Sequence, residues 1–295
     1  MSLLIQSIVN GLNQGAIYAL VALGYTMVYG IIRMINFAHG DFIMVGSYTL
    51  FYTVPLMVLA GMPPWMAVIL AILVCIGAGI AVEQIAYKPV RGAGSMTALI
   101  TALAMSLLLE NLALVLFGAN PKSVPAIFNL PMIDLFGAKL QSKYLITFAI
   151  GIIMMLALQV FIKKTKLGKA MRAVPQDKQA ATLSGIKVDR IITLTFAIGS
   201  GLAAVAALMY CSTYPRATTE MGTMLGLKAF IAAVLGGIGI IPGAMIGGLI
   251  VGLLEIFIKV YVAPGWYEAI TYTILIVVLL VKPTGLLGKN IGEKV

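Results

Sequence analysis

Three ionisable residues interrupt apolar stretches of this sequence, namely Glu110, Lys228 and Glu255. An isolated charge inside an apolar helix is costly, about 2.5–3.5 kcal/mol at the centre of a bilayer on insertion scales. Such residues therefore form ion pairs inside a helical bundle or line a polar pathway. We expect Glu110 and Lys228 to pair. Alternatively, the Lys228 side chain extends to the outer interface.

A second polar group occupies the segment RMINFAHGD at positions 33–41, between the first two apolar stretches. Asn36, His39 and Asp41 would form a gate there, or a contact with a partner protein. In the alternative interpretation, Asn36 and Asp41 cap the following helix and Arg33 anchors the preceding one. His39 is the only histidine, so the sequence has no metal-ligand cluster, and no pairing of nucleophile and base predicts an enzyme.

A third group consists of Gly236, Gly237, Gly239 and Gly243 around Pro242. Proline cannot donate a backbone hydrogen bond and glycine loosens the helix, so this group should interrupt regular helix on the cytoplasmic side. The spacing leaves open whether the interruption is a hinge or a tight turn.

The elements that position these residues are membrane helices. Of the 295 residues, 61% are hydrophobic and 10% are charged, whereas about a quarter of the residues of a soluble domain are charged. A water-soluble fold could not bury so much apolar surface, and disorder is excluded for the same reason. Cys75 and Cys211 lie in or beside apolar runs, and we predict that they are packing residues rather than a disulfide.

Apolar runs of about 18–20 residues are long enough to cross the hydrocarbon core as helices. Runs without Asp, Glu, Lys or Arg occur at 15–32, 42–60, 65–82, 144–162 and 191–210. The run 96–117 carries Glu110, and residues 221–281 hold about three shorter spans. We therefore predict an all-α fold, a polytopic membrane bundle of about 8–9 transmembrane helices in a single domain over residues 1–295. Residues 1–14 mix apolar and polar side chains, as a helix lying at the membrane interface would.

The distribution of basic residues predicts the orientation, because basic loops remain in the cytoplasm. With alternating spans, one side receives 14 of the 20 lysines and arginines, in the segments 33–41, 83–95 and 163–190 and in the tail after residue 281. The N-terminus is therefore predicted to be periplasmic and the C-terminus cytoplasmic. The net charge of +10 is then explained by orientation and contact with membrane lipid, and we predict no nucleic-acid partner.

Two long connections follow from this topology. Segment 118–143 is a periplasmic loop, whose Pro121, Pro125 and Pro131 predict an ordered but irregular shape. It is our candidate contact for a partner on the outside, and plugging the outer mouth is the alternative. Segment 163–190 is a cytoplasmic loop and the long charged connection of the chain.

The cytoplasmic loop contains the pattern QAA-x-x-x-G, formed by Gln179, Ala180, Ala181 and Gly185. We predict one short helix over residues 172–186 that Gly185 ends. Its apolar face would consist of Ala173, Ala180, Leu183 and Ile186. Such a helix can dock in a groove of another protein. Anchoring at anionic headgroups is the alternative for its basic residues, but it leaves the alanine pair and the glycine unexplained.

This pattern resembles the EAA-x-x-x-G coupling motif of ABC importer permeases, with Gln179 in place of the usual glutamate. Three longer segments resemble the LivH-type permease of branched-chain amino-acid importers: GLNQGAIYALVALGYTMVYGIIRMINFAHGDFIMVGSY, RAVPQDKQAATLSGIKVDR and GLKAFIAAVLGGIGIIPGAMIGGLIVG. The resemblance extends from Gly11 to about Gly288.

The resemblance implies a multi-pass permease subunit of the bacterial inner membrane. It would pair with a LivM-type permease as a heterodimer and work with two cytoplasmic ABC ATPases and a periplasmic amino-acid-binding protein. The chain lacks a phosphate-binding G-x-x-x-x-G-K-[ST] loop, so it should bind no cofactor, and ATP would be used by the partner subunits. The residues expected in ATPase coupling are Arg172, Asp177, Gln179, Ala180, Ala181 and Gly185. The residues expected in the pathway or its gate are Asn36, His39, Asp41, Glu110, Lys228, Gly236, Gly237 and Gly239.

Two alternatives remain open. Related permeases move urea, short amides or other amino acids, so the resemblance favours branched-chain amino acids without excluding those substrates. A secondary transporter or channel that works without ATP is the alternative from another class, and the charges inside the apolar stretches favour it.

Overall fold

The structure is a computed structural model that describes residues 2–128, 131–135, 138–262, 264–282 and 284–288. Within these residues, seven helical segments are long and apolar enough to cross a membrane, and two shorter apolar helices, 221–236 and 267–278, accompany them. The predicted all-α polytopic bundle is confirmed. The helices are α1 (Ser2–Ile32), α2 (Asp41–Leu59), α3 (Met66–Val82), α4 (Lys88–Val90), α5 (Ser95–Phe117), α6 (Ser142–Lys164), α7 (Lys166–Ala173), α8 (Lys178–Leu183), α9 (Val188–Thr213), α10 (Met221–Gly236), α11 (Ile241–Phe257) and α12 (Tyr267–Val281).

Three irregular helical segments join these elements. A 3-10 turn (Phe37–His39) precedes α2, and π-helical segments continue α3 (Glu83–Tyr87) and α11 (Ile258–Val262). π-helical turns are rare and are often found at functional sites. Both of them lie close to a buried glutamate.

Helix α1 forms the centre of the bundle. Most of its residues are buried inside the protein, and it packs against α6, α9, α10 and α11. Its contact with α11 is very close, because a Cβ atom at Gly252 would overlap the backbone of Gly15. Small residues permit such close approach of membrane helices, whose association depends on van der Waals packing.

The prediction of an interfacial helix at residues 1–14 is wrong, because α1 is continuous from Ser2 to Ile32. Two polar residues of its first half, Asn13 and Gln14, are buried against the protein. Asn13 donates a hydrogen bond to Thr213 (3.2 Å), and Gln14 accepts one from Tyr214 (3.1 Å). Burial, together with the charge of Glu255, raises the pKa of the Tyr214 hydroxyl to about 12, so it remains a neutral donor. These contacts explain polar positions that the sequence pattern placed at the membrane surface.

The segment 118–143 is more regular than predicted. Strands β2 (Met132–Leu135) and β3 (Ala138–Gln141) form an antiparallel hairpin. Strand β1 (Lys122–Ser123) pairs with β4 (Arg216–Ala217), which lies between α9 and α10. The three prolines lie outside these strands, since proline has no amide hydrogen to donate to a strand pair.

The segment 163–190 forms two short helices, α7 and α8, instead of the single helix predicted over residues 172–186. The break falls at Pro175, whose nitrogen cannot donate the hydrogen bond that a continuing helix needs. Gly185 follows α8 with φ +81°, and its amide donates to the Thr182 carbonyl (2.9 Å). The prediction that Gly185 ends the helix is therefore confirmed.

The predicted interruption at the glycine group is also confirmed. Helix α10 ends at Gly236, and Gly237 and Gly239 have φ values of +105° and +92° before α11 begins at Ile241. The amides of Leu286 and Leu287 donate to the carbonyls of Leu235 (2.8 Å) and Gly236 (3.1 Å), respectively. The segment after α12 thus satisfies carbonyls that the last turn of α10 leaves without an intrahelical partner.

Both cysteines are free and buried, as predicted. The Cys75 thiol lies 3.3 Å from the Phe42 carbonyl, and the Cys211 thiol lies 3.3 Å from the Ser47 hydroxyl. They are packing residues on different helices.

Candidate functional site

A network of four charged side chains lies where α10, α11 and α12 meet. The Lys228 ammonium lies 3.0 Å from Glu255 and 3.5 Å from Glu268, and Lys259 lies 2.7 Å from Glu255. Tyr18 of α1 donates a hydrogen bond of 2.6 Å to the other oxygen of Glu255. Two ammonium groups therefore balance two carboxylates, which lets the bundle hold these charges inside.

The predicted pairing of Lys228 with Glu110 is wrong. Lys228 is 7% exposed, so it does not extend to the interface either. Its partner is Glu255 because α10 and α11 pack closely. Glu110 instead accepts a hydrogen bond from Thr223 (3.3 Å), more than one turn before Lys228 on α10.

Sequence reasoning missed three members of this network: Tyr18, Lys259 and Glu268. The spacing of Glu255 and Lys259 by four residues would have indicated a pair on one helix face. Tyr18 and Glu268 come from distant parts of the chain, and their contact depends on the tertiary arrangement.

The segment between α1 and α2 folds back into the bundle. Asn36, His39 and Asp41 are each at most 1% exposed. The His39 ring lies against Gly24, about two turns before the end of α1, and near Gly199, about three turns after the start of α9. The three polar residues are therefore buried in the interior of the bundle, and the His39 ring lies two to three turns inside the ends of α1 and α9.

The helix-capping interpretation of these residues is wrong, because neither Asn36 nor Asp41 makes a side-chain capping hydrogen bond. Tyr87, from the π-helical segment after α3, donates 2.9 Å to the Asn36 amide oxygen. Both carboxylate oxygens of Asp41 and both ring nitrogens of His39 are buried without a hydrogen-bond partner among the described residues. Arg33, the predicted anchor of α1, is exposed and has φ +58°.

Two helices begin beside this buried polar segment. Gly40 precedes α2 and packs against Gly222 and Gly226 in the first turns of α10. The positive ends of both helix dipoles thus converge near Asp41. Helices that begin inside a bundle, with their N-termini directed at one point, are typical of substrate sites in transporters.

The segment 163–190 exposes most of α8 at the protein surface. Asp177 caps α8 by accepting hydrogen bonds from the amides of Gln179 (2.8 Å) and Ala180 (3.0 Å). Ala181 is 4% exposed and fixes the helix against the chain, whereas Leu183 is 90% exposed. The described residues therefore leave the Leu183 side chain uncovered.

The structure separates the predicted coupling residues into two groups. Arg172 lies on α7 and donates to the Lys163 carbonyl (3.4 Å), whereas the other five lie on or beside α8. A cleft of about 390 Å³ separates the α7–α8 turn from the end of α1. Its lining includes Arg33, Asp177 and Gln179.

The fold defines a multi-pass helical membrane protein, with a polar segment and a charged network buried inside the bundle and a short helix presented at one end. The family described as branched-chain amino acid transport system, permease component, matches residues 7–279. This chain belongs to that family.

Individual relatives match along nearly the whole chain. The high-affinity branched-chain amino acid transport system permease protein LivH of Salmonella typhimurium is 42% identical over 300 residues, covering 99% of this chain and 97% of that protein. The corresponding protein BraD of Pseudomonas aeruginosa is 41% identical over 302 residues, covering 99% and 98%. A solved structure, PsaBC from Streptococcus pneumoniae in complex with Fab, aligns with a TM-score of 0.47 and 15% identity over 93% of this chain and 91% of that chain.

Proposed function

We propose that this chain is the transmembrane permease subunit of a binding-protein-dependent ABC importer and forms part of the pathway for leucine, isoleucine and valine. The observation that carries the proposal is the match of residues 7–279 to the permease family, together with full-length relatives named for this transport. A zwitterion with an apolar side chain needs few polar contacts and much apolar lining. The buried polar segment among apolar helices suits such a substrate.

The proposed partners follow from the same relationship. They are a LivM-type permease, two cytoplasmic ABC ATPases that hydrolyse ATP, and a periplasmic amino-acid-binding protein. The proposed location is the bacterial inner membrane, with the N-terminus periplasmic as the basic loops indicate. The ATPase would receive α8, whose Leu183 is 90% exposed, and the binding protein would contact the 118–143 loop.

The pathway is proposed to pass the polar segment that holds Asn36, His39 and Asp41, with Glu110 close by. Two observations support this route: two helix N-termini converge there, and the side chains of Asp41 and His39 have no hydrogen-bond partner among the described residues. Lys228 is proposed to hold α10 against α11 and not to line the pathway, because its ammonium group forms an ion pair with Glu255. Gly236, Gly237 and Gly239 would form the flexible point at the cytoplasmic end of the pathway.

Reconstitution tests the proposal. The chain is purified with a paired permease and ATPases, placed in liposomes, and supplied with binding protein and radiolabelled leucine. We expect leucine uptake that requires both ATP and the binding protein, with isoleucine and valine as competitors. Competition by urea or short amides instead would show that those compounds are the substrates. Uptake by this chain alone under an ion gradient would show that the protein is a secondary transporter.

A further inference from the structure

An arginine links the cytoplasmic end of α3 to the start of α9. Arg91, just after α4, forms an ion pair with Glu83 through Nη2 and another with Asp189 through Nη1, the latter at 2.7 Å. The Thr193 hydroxyl donates 2.8 Å to the second oxygen of Glu83. Asp189 and Thr193 are one turn apart on α9, so α9 holds both members of the Arg91–Glu83 pair.

The two ion pairs of Arg91, with Glu83 and with Asp189, together form what we call the Arg91 clamp, and they differ in exposure. Glu83 is fully buried and the Arg91 side chain is 14% exposed, whereas the Asp189 side chain is 68% exposed. Separating Arg91 from Glu83 would leave a carboxylate buried without its cation, which is strongly unfavourable. An exposed ion pair is weak by comparison. The Arg91–Asp189 contact is therefore the one that can open and close without unfolding its surroundings.

The clamp lies between the loop that α8 belongs to and the interior of the bundle. Asp189 is in the first turn of α9, shortly after Gly185 at the end of α8, and α8 packs against α9. Glu83 begins the π-helical segment, whose Tyr87 contacts Asn36. A shift of α8 can thus reach the buried polar segment through two ion pairs and one hydrogen bond.

Arg91 also connects to α5. The turn that follows Arg91 leads directly into α5, which packs against both the π-helical segment and the 3-10 turn of the polar segment. Glu110 lies on α5. The same arginine therefore couples the start of α9 to the π-helical segment and to α5, both of which contact the polar segment.

We propose that Arg91 is a positioning residue that transmits movement of the α8 loop to α3 and α5, with the Arg91–Asp189 contact as its switchable part. The proposal rests on the proposed function as an ATP-driven permease. Arg91 touches neither substrate nor nucleotide in this role. Its loss should lower the amount of amino acid moved per ATP hydrolysed.

The test is the ratio of leucine transported to ATP hydrolysed by the complete transporter in liposomes. Asp189→Asn removes the exposed contact and preserves shape, so we expect the ratio to fall by about twofold to fivefold, the range of one exposed ion pair, while ATP hydrolysis and thermal stability stay as in the wild type. Asp189→Glu should restore the ratio. Arg190→Gln is the matched control, because Arg190 is an exposed neighbour without an ion pair to the described residues.

A second variant acts from the other side of the clamp. Thr193→Val removes the hydrogen bond to Glu83 and should lower the same ratio. An unchanged ratio in Asp189→Asn, or a parallel fall in hydrolysis, transport and thermal stability, would overturn the proposal in favour of a merely structural clamp. A wild-type transporter with no ATP-driven uptake would instead show that the proposed function has failed, and this inference with it.

Discussion

The Nζ atom of Lys228 lies 3.0 Å from Oε1 of Glu255, 27 positions away on the neighbouring helix. Both side chains are buried, and Glu255 accepts two further hydrogen bonds, from Lys259 and Tyr18. The pair joins α10 to α11 by a directional contact, and the two helices also approach each other closely at Gly236, Gly243 and Gly247. Its energetic role can be separated from its role in transport.

Removing one member of this pair should destabilise the protein. We expect Glu255→Gln to lower the free energy of unfolding by about 3–5 kcal/mol, because it leaves Lys228 buried without its main counter-charge. Thermal unfolding in detergent can be followed with a thiol-reactive dye, which reports exposure of the buried Cys75 and Cys211. Lys187→Gln is the control at an exposed lysine. Equal unfolding midpoints for both variants would contradict the prediction.

Replacing both members should cost less than replacing one. The double variant Lys228→Met, Glu255→Met removes both charges and keeps apolar volume, so its midpoint should lie nearer the wild type than that of Glu255→Gln. Lys259 is 33% exposed and can turn toward solvent. A double variant less stable than the single one would indicate that Glu255 is needed mainly for its bond with Tyr18.

The exposed leucine of α8 should decide association with the ATPase. Leu183→Asp places a charge at a position that the partner would cover, and we expect affinity for the ATPase to fall at least about tenfold, or 1.4 kcal/mol. Since Leu183 is 90% exposed, the fold of the isolated chain should not change. Co-purification from detergent measures the effect, and Leu183→Met is the conservative control. If the ATPase still co-purifies with the Leu183→Asp variant, the exposed face of α8 is not its binding surface.

Gly185 should tolerate asparagine better than valine. Its φ of +81° lies in the left-handed region, where a β-branched residue is strained by about 1–2 kcal/mol and asparagine is accepted more readily. Gly185→Val should therefore reduce ATP hydrolysis stimulated by the binding protein, and Gly185→Asn should retain most of it. Equal hydrolysis by the two variants would show that the turn after α8 is not required in this conformation.

A methyl group between α10 and α11 should not be tolerated. A Cβ atom at Gly247 would overlap the Ala232 carbonyl oxygen, and we expect Gly247→Ala to cost about 1–3 kcal/mol of unfolding free energy as an overpacking change. Gly77 on α3 is the matched control, since an added Cβ there meets no atom within 4 Å. Gly77→Ala should leave the thermal midpoint equal or slightly higher. A similar loss in both variants would mean that helix packing is not the cause.

The orientation can be tested with two single cysteines. Ser123 and Lys166 are both exposed, and the native thiols are buried, so background labelling by an impermeant maleimide should be low. Ser123→Cys should react from outside the cell and Lys166→Cys should react only after permeabilisation. Labelling of Lys166→Cys in intact cells would reverse the predicted topology.

Labelling at the same position also tests the outer loop. If the binding protein contacts the 118–143 loop, adding it together with a non-hydrolysable nucleotide should slow the reaction of Ser123→Cys. Unchanged labelling would argue for a loop that only plugs the outer mouth.

The sequence predicted those features that depend on composition or on a single residue's backbone. The long apolar runs predicted the helical bundle, and Gly185 and the Gly236–Gly239 group ended helices where expected, because glycine permits the positive φ that such ends require. The break at Pro175 followed from the same kind of local rule and could have been read from the sequence. The helix predicted over residues 172–186 instead runs through this proline and joins the end of α7 to α8.

Contacts between residues far apart in the sequence were harder to predict from it. Lys228 pairs with Glu255 and not with Glu110 because of how α10 packs against α11, and nothing in the spacing of those residues along the chain specifies that arrangement. Asn36 and Asp41 have the residue types of helix caps, yet the close approach of Gly40 to Gly222 carries their segment into the interior. The Arg91 clamp likewise joins Glu83 to Asp189 across three helices. Each of these features is tertiary.

The hydrogen bond from the Leu286 amide to the Leu235 carbonyl also has a consequence for biogenesis. Helix α10 leaves the ribosome before α11 and α12, yet the last carbonyls of α10 receive their donors from the segment after α12. The end of α10 is therefore completed only after both later helices have been inserted. A nascent chain that stalls within α12 would carry an unfinished helix end, which quality-control proteases of the membrane could recognise.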